Sequence, residues 1–374
     1  MKVLLAIDAP ITYSEAPSSR LIYIARSLKK EGLKVELIGR KGEEVAGLKI
    51  TPLPNGKYIS RLILPFLIAK KMFTEKYTHV IIRGAYLAFF LIPLKIFNRK
   101  IILDFHDWNF REIRFYYEKT LYNILKSIFY YLTERTATKC SDLIICASKG
   151  LRYFLTEEER EKSVILENGL DLTEAEKAMR ETKQHKEELL QKYGIPKNKP
   201  LAAFFGHWEK KLDIDTMFEG CKKAGINLIV VGEGPDMERY KRNYENVIFT
   251  GRLPKLLALE LISLSDVSIT PYKEDVGKHG EAYYSTRKVK DYLGLGKPII
   301  MANVKGREDF LKDHENAIFY RPGSSDDLAE KIKMVLSDDS LREKISKNNL
   351  GLARKFDWHV LVKESGLIEK LSKI

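Results

Sequence analysis

Residues 79–103 have the sequence HVIIRGAYLAFFLIPLKIFNRKIIL, and this stretch decides the fold of the chain. The short apolar runs His79–Ile82 and Lys100–Leu103 are typical of buried strands, whereas Tyr86–Phe97 between them has helical spacing. Two consecutive strands joined by a helix lie parallel in one sheet, because the helix crosses a face of the sheet to return the chain. The stretch therefore predicts a parallel βαβ unit.

The same alternation of strands and helices extends outward from this unit. Further predicted strands are Val3–Ile7, Val35–Ile38 and Asp142–Cys146, and further predicted helices are Leu21–Lys30 and Lys119–Lys139. A second series follows Asn168-Gly169, with strands at Leu201–Phe205, Asn227–Val231, Asn246–Thr250, Val267–Thr270 and Pro298–Ala302. The polar stretch Glu174–Lys199 predicts a helix that ends at Gly194 and Pro196. A further helix is predicted at Ser325–Leu336.

We therefore predict an α/β fold with two tandem Rossmann-like, doubly wound domains that face one cleft. The first domain spans residues 1–166 and the second spans residues 167–356. A closing helix at residues 357–374 is expected to pack back on the first domain. Ligands of such sheets bind beyond the carboxyl ends of the strands, so the loops that follow strands hold the candidate site residues.

The composition is that of an ordinary globular protein, with 44% hydrophobic and 31% charged residues among 374. The first apolar run ends at Asp8, too early for a signal peptide, and no run reaches the ~18 apolar residues of a membrane span. Cys140, Cys146 and Cys221 lack a metal-ligand spacing, and we expect them to be small buried side chains in a reducing compartment. We expect a cytoplasmic protein, or one attached to the inner face of a membrane.

The net charge of +13 is unevenly distributed along the chain. Residues 1–165 hold 28 Lys and Arg against 17 Asp and Glu, whereas the remainder holds 36 against 34. Within residues 57–126, 13 basic residues oppose 5 acidic ones. A basic first domain favours a partner that carries phosphates or anionic head groups.

Two loops of the predicted first domain carry candidate binding residues. Ser18 and Ser19 precede a helix, whose N-terminus offers N–H groups to a phosphate; helix capping by the same serines is the alternative, and both roles can coexist. His106 follows a buried strand, between Asp104 and Asp107. There an imidazole can donate a hydrogen bond to a sugar hydroxyl while the flanking carboxylates fix its tautomer, or it can be structural.

In the second domain, Gly206 follows a strand and allows close approach of a ligand to the backbone. His207, Lys210 and Lys211 come next, and these lysines either neutralise a diphosphate or form a solvated basic loop. A glycine-rich turn at residues 231–235 also follows a strand, but it lacks the spacing of a dinucleotide fingerprint or a P-loop.

Residues 284–298, YSTRKVKDYLGLGKP, carry the most information about a ligand. Ser285 and Thr286 can cap a helix that begins near Arg287, with Lys288 in the first turn and Asp291 on the same face. A phosphate at the start of this helix and ribose hydroxyls on the Asp291 carboxylate would together hold a nucleoside diphosphate. The alternative is an exposed Lys288–Asp291 ion pair of little energetic weight.

The chain contains, in this order, Glu134–Ser148, Asn168-Gly-Leu-Asp171, Gly232-Glu-Gly-Pro235, Phe249-Thr-Gly-Arg252, Asp291–Pro298 and Phe356-Asp-Trp358. These segments and their order resemble the motifs of the GT-B glycosyltransferases, specifically family 4, over nearly the whole chain.

The resemblance implies a role for several of these positions. His106 corresponds to a histidine near the transferred sugar, and Asp291 corresponds to the ribose-binding glutamate of a Glu-x7-Glu motif. Lys210 or Lys211 takes the place of the diphosphate-binding lysine, and Arg252 lies beside the turn that binds the base.

The chain departs from the family pattern at three places. Tyr283 stands where the first glutamate of the motif is expected, with Glu281 as the nearest substitute. Ser18-Ser19 replaces a Gly-Gly pair, and His207 replaces an arginine. Lys288-Val-Lys-Asp291 and Trp208, together with residues 104–107, are also similar to the β-mannosyltransferases that extend lipid-linked chitobiose, which invert the anomeric configuration that family 4 retains.

The resemblance thus implies a hexosyltransferase that moves a sugar from a UDP- or GDP-linked donor to an acceptor hydroxyl. We expect retention of configuration, catalytic roles for His106 and Asp291, and no cofactor or metal, because lysines and helix N-termini can stabilise the leaving diphosphate. Asp213-Ile-Asp215, the one Asp-x-Asp element considered, stands where a helix should begin. The alternatives are an inverting mannosyltransferase, a sugar-nucleotide epimerase, a non-catalytic nucleotide-sugar-binding protein and a nucleic-acid-binding module. The sequence contains no recognised nucleic-acid-binding motif.

The acceptor is expected to bind the first domain and to be lipid-linked or close to a membrane. Tyr58–Lys76 and Arg111–Tyr131 mix basic, aromatic and aliphatic residues, as interfacial segments do; a core helix with a solvated basic face is the alternative. The sugar, the nucleotide, the acceptor and the oligomeric state stay open.

Overall fold

A computed structural model of the chain describes residues 1–13, 16–54, 56–106, 108–208, 212–274, 287–304 and 309–374. The chain divides into two compact units. The first comprises residues 1–168 and 358–374, and the second comprises the described residues from 169 to 357. Each unit has its own open parallel sheet covered by helices, the arrangement that continuous apolar strands require.

The first unit is built on a seven-stranded parallel sheet with strand order β3-β2-β1-β4-β5-β6-β7. These strands are β1 (Lys2–Pro10), β2 (Lys34–Arg40), β3 (Lys49–Leu53), β4 (His79–Arg83), β5 (Lys100–Phe105), β6 (Leu143–Cys146) and β7 (Ser163–Ile165). The sequence predicted the five inner strands, and it missed β3 and β7 at the two edges. An edge strand pairs on one side only and is less buried, so these short segments lack the continuous apolar run that marks the inner strands.

Helices cover both faces of this sheet. They are α1 (Ala16–Lys30), α2 (Lys57–Thr74), α3 (Ala85–Leu91), α4 (Asn109–Tyr116), α5 (Leu121–Cys140), α6 (Lys149–Tyr153) and α7 (Glu157–Glu161). The predicted helix at residues 86–97 is α3 followed by a 3-10 segment, Ile92–Phe97, because Pro93 cannot continue the α-helical hydrogen bonds. Helix α2 contains Pro65 within a single helix.

The second unit is built on a six-stranded parallel sheet with strand order β10-β9-β8-β11-β12-β13. Its strands are β8 (Leu201–Phe205), β9 (Asn227–Val231), β10 (Val247–Gly251), β11 (Val267–Thr270), β12 (Ile299–Ala302) and β13 (Ala317–Tyr320). Its helices are α8 (Leu172–Lys192), α9 (Ile214–Ala224), α10 (Met237–Asn243), α11 (Lys255–Ser263), α12 (Arg287–Gly294), α13 (Ser325–Ser337) and α14 (Asp339–Ala353). The edge strand β13 was not predicted, and α8 ends before Gly194, whose φ of 62° suits a helix C-terminus.

The end of the chain returns to the first unit as α15 (Trp358–Glu364) and α16 (Leu367–Lys373). Trp358 stacks on Tyr23 of α1, with ring centroids 5.5 Å apart, and joins the same apolar core as Val362 and Leu371. Among the described residues, no helix is both long enough and apolar enough to cross a membrane. Cys146 and Cys221 are buried as predicted, whereas Cys140 is partly exposed.

Candidate active site

The carboxyl ends of β1, β4 and β5 enclose a cavity of about 250 Å³ in the first unit. We call it the His106 cavity, because the predicted catalytic histidine is one of its lining residues. Its other polar and aromatic lining residues include Asp8, Arg61, Arg83, Tyr86, Asn109 and Tyr130. This is the edge at which an open α/β sheet binds its ligand.

A chain of buried polar groups positions His106. Arg20 donates from Nη1 to Asn168 Oδ1 at 3.2 Å, which orients the amide so that Asn168 Nδ2 faces His106 Nε2 at 3.3 Å. An amide nitrogen is a donor, so Nε2 of the imidazole accepts and the ring proton lies on Nδ1. Asn168 is the first residue of the Asn168-Gly-Leu-Asp171 motif, so the structure places this motif beside the predicted catalytic residue.

The Asp104 carboxylate accepts hydrogen bonds from Arg20. Arg20 Nε lies 3.0 and 3.2 Å from the two carboxylate oxygens of Asp104, and both side chains are fully buried. Burial pushes the pKa of the Asp104 carboxyl upward, but the charges of Arg20 and Arg83 outweigh it and hold that pKa below its ordinary value. The expected role of Asp104 in fixing the tautomer of His106 passes in this structure to Asn168, and Asp107 lies outside the described residues.

Asp8 and Arg61 form a second polar pair in the His106 cavity, which the sequence analysis missed. Arg61 Nε donates to Asp8 Oδ2 at 2.6 Å, and Ser60 Oγ donates to the other oxygen of the Asp8 carboxylate. Burial raises the pKa of the neighbouring Tyr86 phenol, with Arg61 opposing and Asp8 adding to the effect. The position of Asp8 at the end of the first apolar strand was the available signal, since strand ends face the ligand edge.

Ser18 and Ser19 lie inside helix α1 and are fully buried. The Ser18 hydroxyl accepts a hydrogen bond from the backbone N–H of Thr12 at 3.0 Å. Ser18 therefore holds the preceding loop against the helix, which differs from both helix capping and direct contact with a phosphate. The role of Ser18 and Ser19 in donor binding stays a prediction.

In the second unit, glycines stand where β8, β9 and β10 end. Gly206 N donates to the carbonyl of Val231 at 2.9 Å, and a Cβ on Gly232 would overlap the carbonyl oxygen of Gly206. A Cβ on Gly234 would overlap the indole of Trp208, whose Nε1 donates to the carbonyl of Pro235 at 3.0 Å. The glycines of the 231–235 turn thus permit close packing of neighbouring loops.

Two predicted donor-binding cations lie at this edge. Lys288 Nζ lies 4.3 Å from the centre of the Phe204 ring, and its Cε approaches Gly206. Arg252 is exposed and pairs with Glu233, with 3.0 Å between Nη2 and Oε1. His207 is exposed on the loop that follows β8. Lys210, Lys211, Ser285 and Thr286 lie outside the described residues, as do Glu281 and Tyr283.

Asp291 is buried on α12 and forms an ion pair with Lys255, the first residue of α11. The alternative of an exposed Lys288–Asp291 pair is wrong, because the Asp291 carboxylate is buried and pairs with Lys255. Burial lowers the pKa of Lys255, and the charge of Asp291 opposes that shift. Lys255 also lies 4.7 Å from the Phe205 ring, so Lys255 and Lys288 contact successive residues at the end of β8, whose side chains point to opposite faces of the sheet.

The side chains at this edge that could bind a ligand carry oxygen and nitrogen atoms. Within the described ranges, no three His, Cys, Asp or Glu side chains form a group that could hold a metal ion. Asp213 caps helix α9, since its carboxylate accepts from the backbone N–H of Thr216 at 3.3 Å. That agrees with the prediction that the 213–215 element marks a helix start.

Two tandem parallel α/β units with a closing C-terminal helix define the GT-B fold. The sucrose-phosphate synthase from Thermosynechococcus elongatus superposes with a TM-score of 0.75 at 15% identity, covering 100% of this chain and 99% of that one. HepE from Anabaena in complex with UDP-glucose superposes with a TM-score of 0.72 at 15% identity, covering both chains fully.

The family follows from the sequence comparisons. The model of the group 1 glycosyl transferases matches residues 185–350, and that of glycosyltransferase family 4 matches residues 18–174. An uncharacterized glycosyltransferase from Methanocaldococcus jannaschii is 24% identical over 322 residues, 82% of this chain and 71% of its own. A GDP-mannose-dependent alpha-mannosyltransferase from Mycobacterium tuberculosis is 26% identical over 138 residues, 36% of this chain and 34% of its own.

The chain belongs to the family 4-like, group 1 glycosyltransferases of the GT-B fold. It is therefore a transferase enzyme, as the sequence predicted.

Proposed function

We propose that the enzyme transfers a sugar from a UDP- or GDP-linked donor to a hydroxyl of an acceptor held in the His106 cavity. The observation that carries the donor assignment is that Lys288 and the Lys255–Asp291 ion pair both lie at the carboxyl end of β8. A cationic edge neutralises a diphosphate, and a carboxylate accepts both protons of the ribose diol. The UDP-glucose complex of HepE and the GDP-mannose dependence of the mycobacterial relative support the donor class.

The leaving diphosphate gains negative charge as the glycosidic bond breaks. Lys288 is the described residue best placed to stabilise that charge, and the predicted lysines 210 and 211 would add to it. We propose that these cations act without a metal ion. In the retaining course, the leaving phosphate takes the proton of the acceptor hydroxyl, and no protein nucleophile is needed.

The His106 cavity suits a sugar or another hydroxyl-rich acceptor. His106 carries its proton on Nδ1 and can donate it in a hydrogen bond, while Asp8, Arg61 and Asn109 offer further polar groups in the same cavity. Donors and acceptors converging on a small cavity orient a polyol. We propose that the acceptor is lipid-linked or membrane-proximal, which the exposed apolar helices of this unit support.

A specific observation favours the inverting mannosyltransferase as the second candidate. Inversion needs a general base beside the acceptor hydroxyl. The buried Asp8 carboxylate lies in the His106 cavity and is held by Arg61 and Ser60, as such a base would be. The anomeric configuration of the product, read by proton NMR, decides between the two courses.

The donor assignment is tested by thermal shift with UDP, GDP and their glucose and mannose conjugates. At least one nucleotide should raise the melting temperature of the wild-type enzyme, because a ligand that binds the native state stabilises it. Asp291→Ala should lose that ligand-induced rise relative to its own baseline, whereas the exposed control Asp326→Ala should keep it. If no nucleotide raises the melting temperature of the wild type, the donor assignment is wrong.

His106→Ala separates the acceptor side from the donor side. The variant should lose transfer while its nucleotide-induced thermal shift stays intact, because His106 lies in the first unit and the proposed donor-binding residues lie in the second. Equal loss of transfer and of nucleotide binding would instead indicate a structural role for His106.

A further inference from the structure

The first unit exposes an unusual amount of large apolar side chain, and nearly all of it lies on one face of its sheet. On α2 the exposed residues are Tyr58, Ile59, Leu62, Ile63, Phe66 and Phe73, and on α3 and the following 3-10 segment they are Phe89, Phe90, Ile96 and Phe97. On α5 they are Leu121, Tyr122, Ile124, Leu125, Ile128, Phe129, Tyr131 and Leu132. Helix α2 packs against α3, and α3 packs against α5, so the three helices lie side by side. We call this surface the helical apolar face.

The opposite face of the same sheet has no such surface. Helices α1, α15 and α16 cover it, and within these three helices no large apolar side chain is exposed. Among the described residues of the second unit, Leu350 is the one large apolar side chain counted as exposed, at 39%. The exposure is therefore a local property of three helices. Contiguous apolar patches of this kind mark an interaction surface.

Helix α5 shows most directly that this face needs a partner. Over residues 121–132 none of its side chains is buried, and Leu121, Leu125, Ile128 and Leu132 repeat at helical spacing on one side. The last turns anchor the helix, where the buried Glu134 carboxylate accepts from the backbone N–H groups of Asn109 and Phe110. A helix gains most of its stability from burying its apolar stripe, whereas Leu121, Leu125, Ile128 and Leu132 stay 49–73% exposed within the chain.

The charges of these helices select the partner. Within the helices, residues 57–74, 85–97 and 121–133 contain six Lys and Arg and no Asp or Glu, and three of the six, Arg61, Lys71 and Lys95, pair with carboxylates of the chain. Lys126 lies 5.8 Å from the rings of both Tyr117 and Tyr122, an arrangement in which an aromatic ring and a basic side chain meet at an interface. Protein–protein interfaces are depleted of lysine at their cores, whereas basic helices with exposed leucine and aromatic residues bind anionic lipid surfaces.

We propose that the helical apolar face docks on a bilayer that contains anionic phospholipids. The apolar side chains of α2 and α5 enter the boundary between head groups and acyl chains, and the lysines and arginines around them meet the lipid phosphates. Docking goes beyond the proposed function and does not depend on it.

The His106 cavity is continuous with the docking helices. Arg61, Tyr86 and Tyr130 line the cavity and belong to α2, α3 and α5 respectively. An acceptor head group that enters the cavity can keep its lipid chain in the bilayer beside these helices. This second part rests on the proposed function.

The test uses the full chain and vesicles of phosphatidylcholine and phosphatidylglycerol in equal parts. The wild type should sediment with these vesicles roughly tenfold more strongly than with pure phosphatidylcholine vesicles, and added salt should weaken binding without abolishing it. Leu121→Glu/Leu125→Glu should weaken binding to the mixed vesicles roughly tenfold or more, because two charges then face the acyl chains. The control Gln184→Glu/Gln191→Glu adds the same charge on the exposed side of α8 and should bind as the wild type does.

Three results would overturn the docking proposal. They are no binding of the wild type to mixed vesicles at low salt, equal binding by the two glutamate variants, or a wild-type dimer that Leu121→Glu/Leu125→Glu converts to a monomer without vesicle binding by either. The last result would assign the face to a second copy of the chain. Nucleotide-induced thermal shifts, measured without vesicles, report on the donor site alone, so failure of the proposed function and failure of docking are seen separately.

Discussion

At the scale of single residues, Asp291 has two proposed roles: it stabilises the fold through its ion pair with Lys255, and it binds the ribose of the donor. Both side chains are buried, so each charge depends on the other. Removing one member of a buried pair leaves an unpaired charge and costs about 3–5 kcal/mol. Asp291→Ala should therefore lower the free energy of unfolding by about this amount, measured by urea denaturation.

The double variant Lys255→Met/Asp291→Ala should recover much of that loss, because neither charge is then left unpaired. Its nucleotide-induced thermal shift should stay absent, since the carboxylate proposed to bind ribose is still missing. Recovery of stability without recovery of nucleotide binding would separate the role of Asp291 in stability from its role in ribose binding. If Asp291→Ala costs less than about 1 kcal/mol, the pair is solvated and the proposed role in stability is wrong.

Asn168 is the residue through which Arg20 sets the tautomer of His106. We expect 15N NMR of labelled histidine to show Nε2 of His106 without a proton in the wild type, because Asn168 donates to it. Asn168→Ala should shift this equilibrium and reduce transfer. Asn349→Ala removes a buried amide in the second unit and should leave the His106 signals unchanged. A wild-type Nε2 that carries the proton would contradict the network.

The sequence identified His106 and Asp291 as candidates, but not their partners. Asn168 is 62 residues from His106 and Lys255 is 36 residues from Asp291, and such contacts depend on which strand ends meet in the fold. Local spacing offered Lys288 as an alternative partner of Asp291, since these residues are three apart on one helix. Tertiary packing placed Lys255 there instead, and periodicity carries no signal for that choice.

At the scale of elements, the charged cluster around Glu36 joins β2, β3 and α2. The fully buried Glu36 carboxylate pairs with Lys71 at 2.7 Å, accepts from Tyr77 at 2.6 Å and from Thr51, and meets Lys49 at 3.0 Å. Burial alone would raise the pKa of Glu36, but the hydrogen bonds from Lys71 and Thr51 lead a set that lowers it to about 2. The cluster thus fixes the edge of the sheet to the helix that covers it.

This cluster predicts acid sensitivity of the first unit. The pKa of Glu36 is lower in the folded chain than its ordinary 4.5, so its stabilisation is present above that value and is lost as the pH falls toward 2. The shift corresponds to about 3 kcal/mol at neutral pH. In Glu36→Gln, the decrease in stability between about pH 6 and about pH 3 should be shallower than in the wild type, as followed by urea unfolding.

Glu75→Gln is the matched control for this prediction. Glu75 shares Lys71 and Lys49 with Glu36, but its side chain is 37% exposed and is therefore screened by water. Its replacement should leave the acid limb close to that of the wild type. Identical profiles for Glu36→Gln and the wild type would show that the cluster does not couple proton binding to folding.

The elements that were predicted best are those with the strongest burial. The inner strands of both sheets are mostly apolar and buried on two faces, and each one was predicted within a few residues. The missed strands β3, β7 and β13 lie at sheet edges. Helix α2 corresponds to Tyr58–Lys76, which was predicted as an interfacial segment or a core helix, and the helix continues through Arg61 and Pro65.

At the scale of the whole molecule, the last turns of the chain complete the core of its first unit. Arg20 connects the two ends, because its guanidinium lies 5.7 Å from the Trp358 ring and also holds Asp104 and the carbonyl of Leu166. Trp358 is 3% exposed and stacks on Tyr23. The sequence predicted that the closing helix at residues 357–374 packs on the first domain, whereas its contacts with Tyr23 and Arg20 were not predicted.

Trp358→Ala should therefore destabilise the first unit by about 3–5 kcal/mol, because it leaves a cavity against Tyr23 and Arg20. Two-domain chains need not unfold in one step, so calorimetry should show a transition that moves to lower temperature while a second one stays. The second transition should keep its nucleotide-induced shift, since the proposed donor site belongs to the second unit. Leu350→Ala, a half-exposed position in that unit, should cost no more than about 1 kcal/mol. One transition that moves as a whole in both variants would mean that the two units unfold together.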